Sequence, residues 1–184
     1  MDELLKCEFA VLRETIRTRG TARPLAVLAG LIGWAALLAT VLIWLPYPMA
    51  SVLPILVLLT VFEVARTIHL GVERIGRYLQ VFYEEGAGGS APTAPPAWEH
   101  VAMRFGPSLP GAGGHPLFQP IFLLATAVNF LAVLLPGPLL VELTTLAIPH
   151  LALIAWILYS DRGMRRQRAT ELARFRELRD SLRS

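Results

Sequence analysis

The chain is poor in the residues that carry chemistry. Cysteine occurs once, at Cys7, which excludes any intramolecular disulfide. The four histidines, His69, His100, His115 and His150, are scattered without the spacing of a metal site. His69 and Glu73 stand one helical turn apart, and two groups do not hold a metal. No glycine-rich phosphate loop with a lysine, no nucleophile elbow and no paired catalytic carboxylates occur. The reading is therefore of a protein that is not an enzyme and needs no metal and no cofactor. Charge is scarce as well, at 17% of residues, where a soluble domain carries about 25%. Above all, Lys and Arg are missing from residues 24–65 and 105–161.

What fills those stretches is apolar. The 184 residues are 54% hydrophobic, and the apolar residues collect into blocks instead of spreading over a globular core. A helix needs about 20 mostly apolar residues to cross a bilayer core of about 30 Å. Four blocks meet that need, at residues 24–45, 49–69, 117–135 and 139–159. All 17 Lys and Arg fall in the intervening segments 1–23, 66–104 and 162–183. Positive charge kept on one side fixes four spans, with both termini and the central loop in the cytoplasm. The fold class expected is an all-α integral membrane protein of the bacterial inner (plasma) membrane, with four transmembrane helices in two hairpins and cytoplasmic amphipathic helices. The first block starts too far in and runs too long for a cleaved signal peptide, so it reads as a retained anchor. In such a protein a pI near 9.5 points to anionic lipid headgroups met by the Arg-rich tail, not to nucleic acid.

Five segments follow. Residues 1–20 read as a cytoplasmic amphipathic helix, with Leu5, Phe9, Leu12 and Ile16 at helical spacing and Gly20 as its stop. It either lies on the membrane or packs on other cytoplasmic helices. Residues 24–69 form the first hairpin. Pro24 suits the first turn of span one, and Pro46-Tyr47-Pro48 makes a tight turn. Span one carries small residues at four-residue spacing: Ala22, Ala26 and Gly30 on one line, Ala29 and Gly33 on another. They admit close approach of a neighbouring helix, either the chain's own or a second copy's. Residues 70–116 are a helix extension and a Gly/Pro-rich loop. Val61, Ala65, Ile68, Val72, Ile75, Leu79 and Phe82 carry an apolar heptad seam beyond the membrane block. Residues 117–160 form the second hairpin, turning at Pro136-Gly137-Pro138. Residues 161–184 are a basic helical tail with Leu172, Phe175, Leu178 and Leu182 on one face. The first helix, the extension and the tail together suit a small cytoplasmic bundle.

A few polar residues stand out inside the apolar blocks. Glu63 is a carboxylate near the inner end of span two. It reads either as an ion pair with Arg66, three residues on, or as an ion or proton site. Asn129 sits mid-span and suits an interhelical hydrogen bond. Pro149 and His150 sit mid-span four, where a kink can be packed or can line a path. Glu63, Arg66, Asn129 and His150 are thus a candidate intramembrane polar site. Glu142, near the outer end, reads as interfacial.

Two stretches resemble a family. LRETIRTR at 12–19, just before the first span, is joined by IHLGVERIGRYLQVFYE at 68–84 and AWE at 97–99. Together they resemble a loose group of small bacterial four-span membrane proteins with an LRxxIxxR start and a cytoplasmic RIxxYLxxxxE…WE segment. The resemblance implies this topology and no activity. It also implies that Arg74, Ile75, Tyr78, Leu79, Glu84, Trp98 and Glu99 act together, with Trp98 folded back on the helix of Tyr78 and Phe82. Arg74, Ile75, Tyr78, Leu79, Phe82, Trp98 and Glu99 are therefore a candidate cytoplasmic interaction surface. The function expected is a non-enzymatic oligomeric scaffold, anchor or accessory signalling subunit, pairing with itself or with a partner protein. The alternative is an oligomeric channel or membrane-permeabilising effector, as in bacterial defence.

Overall fold

The computed structural model describes residues 3–45, 47–85 and 117–183. Among them all regular structure is helical. The order is α1 (Glu3–Trp44), a 3₁₀ turn (Pro48–Ser51), α2 (Val52–Leu79) running into a π-helical turn (Gln80–Glu84), α3 (Gln119–Leu134) and α4 (Leu140–Arg183). Three stretches are long and apolar enough to cross a membrane: Glu3–Trp44, Pro48–Glu84 and Leu140–Leu182. The third apolar block yields a shorter helix. At 16 residues, α3 is about 24 Å long, below the thickness of a hydrocarbon core.

The start of the chain differs from the sequence expectation of a helix over residues 1–20 that stops at Gly20. One helix runs from Glu3 to Trp44, and Pro24 lies inside it. An interior proline removes one backbone hydrogen bond and crowds the carbonyl four residues back. Here that carbonyl belongs to Gly20, whose lack of a side chain leaves the backbone room to adjust, and the helix carries on. Helix α4 likewise continues through Pro149.

The residues divide into two compact units. An apolar unit comprises Ala22–Thr67 and His115–Arg162, and a charged unit comprises Met1–Thr21, Ile68–Gly114 and Gly163–Ser184. Inside the apolar unit, α1 buries Val27, Leu38 and Val41, and α2 buries Ile55, Leu58, Phe62 and Ala65. Helix α3 buries Phe122, Ala125, Ala132 and Val133, and α4 buries Leu146, Leu153 and Ile157. Phe62 and Phe122 meet edge to face with ring centroids 5.3 Å apart. Gly30 lets α1 approach α2, because a Cβ placed there would overlap the methyl groups of Val61. The unit also buries Ser51, Gln119, Thr126, Asn129 and His150, whereas Leu25, Ile32, Leu56, Leu124, Leu131 and Leu151 face outward. Its interior is more polar than its exterior.

Two irregular points position α3 and α4. Phe118, just before α3, holds a left-handed backbone with φ 53°, a strained state for a bulky side chain. Its neighbours pin it there. Leu117 is fully buried, and the Gln119 amide donates to the Ile157 carbonyl at 3.1 Å. At the far turn Gly137 adopts φ 69°, and the Glu142 carboxylate accepts the Leu139 N–H at 2.8 Å, capping the start of α4.

In the charged unit the seam of α2 is covered by the chain's own ends. Phe9 of α1 meets Tyr83 with centroids 5.5 Å apart. Phe175 of α4 meets Tyr78 at 6.0 Å and Phe82 at 6.5 Å.

Candidate functional site

Asn129 is the centre of the first polar cluster. The 3₁₀ turn packs on α3 and brings the Ser51 carbonyl to the Asn129 amide nitrogen at 3.1 Å. The same nitrogen lies 3.0 Å from Nε2 of His150, and the Trp34 indole N–H donates to Asn129 Oδ1 at 3.2 Å. These partners leave one consistent arrangement of protons. An indole N–H only donates and a carbonyl only accepts, so the amide cannot be flipped. Its second N–H therefore points at Nε2, which must accept with a lone pair. Nδ1 then carries the proton and donates to the Leu146 carbonyl at 2.7 Å. His150 is a neutral imidazole in a fixed tautomer. Asn129 is 0% exposed and His150 2%, so each bond is made away from solvent. The cluster ties α1, the 3₁₀ turn, α3 and α4 together and uses both donors of the amide.

Glu63 and Arg66 form a separate cluster. Glu63 lies 12 residues beyond Ser51, about 18 Å along the helix axis. The four polar residues singled out in the sequence thus fall into two groups. Arg66 Nε donates to Glu63 Oε2 at 2.9 Å and Nη2 donates to the same oxygen at 2.8 Å. The Trp156 indole N–H donates to Glu63 Oε1, and the Arg66 guanidinium sits 5.5 Å from the Trp156 ring centroid. Tyr159 stacks beside Trp156 with centroids 6.2 Å apart.

The third cluster lies in the charged unit. Arg77, one of the charged residues around the seam of α2, is 2% exposed. It donates to Glu73 at 2.8 Å and, through Nε, to Glu171 of α4 at 2.9 Å. Arg74 adds a bond to Glu171 at 3.1 Å and Gln167 another at 2.7 Å. Further along, Glu85 takes Arg176 at 2.7 Å and Arg179 at 3.1 Å. The Arg176 bond dominates and holds the Glu85 carboxyl below its ordinary range, against the opposing effect of burial. Burial pushes the Glu171 carboxyl up, but the bonds from Gln167, Arg74 and Arg77 outweigh it and leave it lowered. Tyr78 donates to Glu8 of α1 at 3.0 Å, and burial together with that bond raises its pKa.

Of the surface read from the sequence, Leu79 is fully buried, Ile75, Tyr78 and Phe82 are half-buried, and Arg74 is exposed but paired. Trp98 and Glu99 lie outside the described residues, as does any contact of Trp98 with Tyr78 and Phe82. Sequence reasoning missed Trp34, Ser51, Trp156, Glu85 and Glu171 as partners. Trp34 and Trp156 carried a usable signal, since an indole N–H inside an apolar block needs an acceptor and lone polar residues in such blocks supply one. No family model, curated protein or solved structure matches the chain.

Proposed function

We propose that this chain is a four-span inner-membrane protein, with its charged unit and both termini in the cytoplasm, that works as a non-enzymatic scaffold or anchor. One observation carries the reading: the apolar unit turns leucines outward and polar groups inward, the arrangement favoured when the surrounding solvent is hydrocarbon. Helix α3 is short for a span, and the flanking Leu117, Phe118 and Leu135 extend its apolar length. The polar residues that a conducting path would use are engaged with one another. Asn129 and His150 close on Ser51, Trp34 and Leu146, while Glu63 closes on Arg66 and Trp156. That favours a packed anchor over a channel. In the charged unit, ionic bonds between α2 and α4 give a defined helical platform that suits a second copy or a partner protein.

Purification in mild detergent with mass measurement, followed by flux assays in liposomes, tests this. The anchor reading expects a particle well above the 20.2 kDa monomer, or a stoichiometric co-purifying chain, and ion flux no greater than in empty vesicles. Flux that rises with the protein and changes on Glu63→Gln or Asn129→Leu would overturn it in favour of a channel.

A further inference from the structure

One end of the apolar unit is ringed by Arg and aromatic residues. Helix α1 enters it at Arg23, α2 leaves it near Arg66, α3 begins beside Phe118, and α4 leaves it at Trp156, Tyr159 and Arg162. No other Lys or Arg occurs within Ala22–Thr67 or His115–Arg162, so all the positive charge of this unit lies at that end. Two of the three arginines rest on aromatic faces: Arg23 lies 5.8 Å from the Phe118 centroid, and Arg66 lies 5.5 Å from that of Trp156.

Arg66 is held in an unusual way. Glu63 grips the Nε and Nη2 edge of its guanidinium, and Trp156 supports its face. The Trp156 indole in turn donates to Glu63, closing a three-residue ring. Nη1 makes no hydrogen bond among the described residues, and the side chain is 28% exposed. An oriented guanidinium with an open donor edge is the geometry that recognises phosphate oxygens. Glu63 and Asp161 cancel two of the three positive charges at this end, so its net charge is +1, and Arg162 is the exposed arginine of the set. Tyr159 follows Trp156 by three residues and Arg162 follows Tyr159 by three, so each stands beside its neighbour on the surface of α4.

We propose that Arg66, Arg162 and the Trp156–Tyr159 stack form a headgroup seat for an anionic phospholipid. The rings sit where amphipathic aromatics meet the headgroup level, and the arginines take the phosphate. The apolar flank specifies a lipid and not a free anion. Leu59 and Val64 of α2 and Leu151 and Leu158 of α4 stand exposed along the helices that lead away from the seat, where acyl chains would lie. This inference rests on the membrane reading above.

The test uses the full chain in nanodiscs of equal phosphatidylglycerol and phosphatidylcholine, released into native mass spectrometry. The expected result is retained phosphatidylglycerol enriched about fivefold over phosphatidylcholine, in line with one arginine's attraction to an anionic surface. Arg162→Gln and Arg66→Lys should each remove most of that enrichment. Arg66→Lys keeps a charge opposite Glu63 but loses the planar fork. Should it fail to fold, Arg162→Gln, at an exposed position, decides alone. Equal retention of the two lipids, or enrichment that Arg162→Gln leaves intact, overturns the seat. Enrichment abolished by excess inorganic phosphate overturns the lipid as the ligand. A chain that stays in water without detergent and never enters the discs overturns the membrane reading itself, a separate outcome.

Discussion

Trp34 and Asn129 stand 95 residues apart in the chain, yet the indole N–H of one donates to the amide oxygen of the other at 3.2 Å. The direction of that bond fixes every proton in the cluster. Asn129→Asp keeps the shape but replaces the donor nitrogen with an oxygen, which then faces the Ser51 carbonyl and the His150 lone pair. Asn129→Leu instead leaves three partners unmet. Each buried unpaired group costs about 1–3 kcal/mol, with apolar surroundings that relax bringing the figure to the lower end. Both variants should lower the unfolding temperature in detergent, and Asp should be at least as harmful as Leu near neutral pH. An Asn129→Asp protein as stable as the parent would show that the amide is not oriented as described.

Arg77 should be the most sensitive charged residue in the charged unit. Its removal by Arg77→Met leaves Glu73 and the largely buried Glu171 facing each other without their shared cation. Breaking a buried pair on one side costs about 3–5 kcal/mol. Hydrogen exchange should show the α4 tail losing protection in Arg77→Met while the apolar unit keeps its own. Arg174→Gln, at an exposed pair with Glu177, should change exchange little.

The two lowered carboxyls that join α2 and its extension to α4, Glu171 and Glu85, give the charged unit an acid limit. A group whose pKa is depressed in the fold contributes stability above its ordinary value and loses it as pH falls through the folded value. For Glu85 and Glu171 the loss begins below about 4.5 and proceeds downward from there. Limited proteolysis across that range should release the α4 tail first, and Glu85→Gln with Glu171→Gln should bring the release to neutral pH. Tyr78 has the opposite sign. Its raised pKa contributes stability below the ordinary value of 10.0 that is lost as pH rises through the folded value. Ultraviolet titration should show late tyrosinate absorbance that shrinks in Tyr78→Phe without vanishing, because burial and Glu8 raise Tyr83 as well.

Two glycines of α1 offer a paired contrast. Gly30 faces Val61 with no room for a methyl group, whereas a Cβ at Gly33 would meet nothing within 4 Å. Overpacking costs about 1–3 kcal/mol, so Gly30→Ala should lower the detergent unfolding temperature. Gly33→Ala should be neutral or slightly stabilising, since alanine suits a helix better than glycine. Equal effects at the two positions would mean that α1 does not approach α2 at Gly30.

That the apolar blocks form helices was legible because it depends on local composition, though the third block gives a helix of only 16 residues. The run of α2 past its apolar block was legible too, from Val72, Ile75, Leu79 and Phe82 at heptad spacing. Partner identity was not. Glu63 with Arg66 could be read because both lie on one helix three residues apart. Asn129 and His150 were each conspicuous, but nothing local says that they share a proton arrangement or that a carbonyl from a 3₁₀ turn completes it. The burial of Arg77 was not legible, because the Glu171 carboxylate that pairs with it lies 94 residues away. The continuity of α1 was misjudged because Gly20 and Pro24 are each breakers alone. Spaced four apart in a helix, the glycine carries the carbonyl that the proline crowds.

The Asn129 cluster also bears on how the chain is made. Its members come from the first helix, the first turn, the third helix and the fourth. His150 is synthesised last, 21 residues after Asn129, so the Trp34 indole and the Ser51 carbonyl precede the amide that joins them, and the amide precedes its acceptor on α4. The cluster's set of bonds is complete only when α4 is in place, so the last helix made closes a site that the first helix opens.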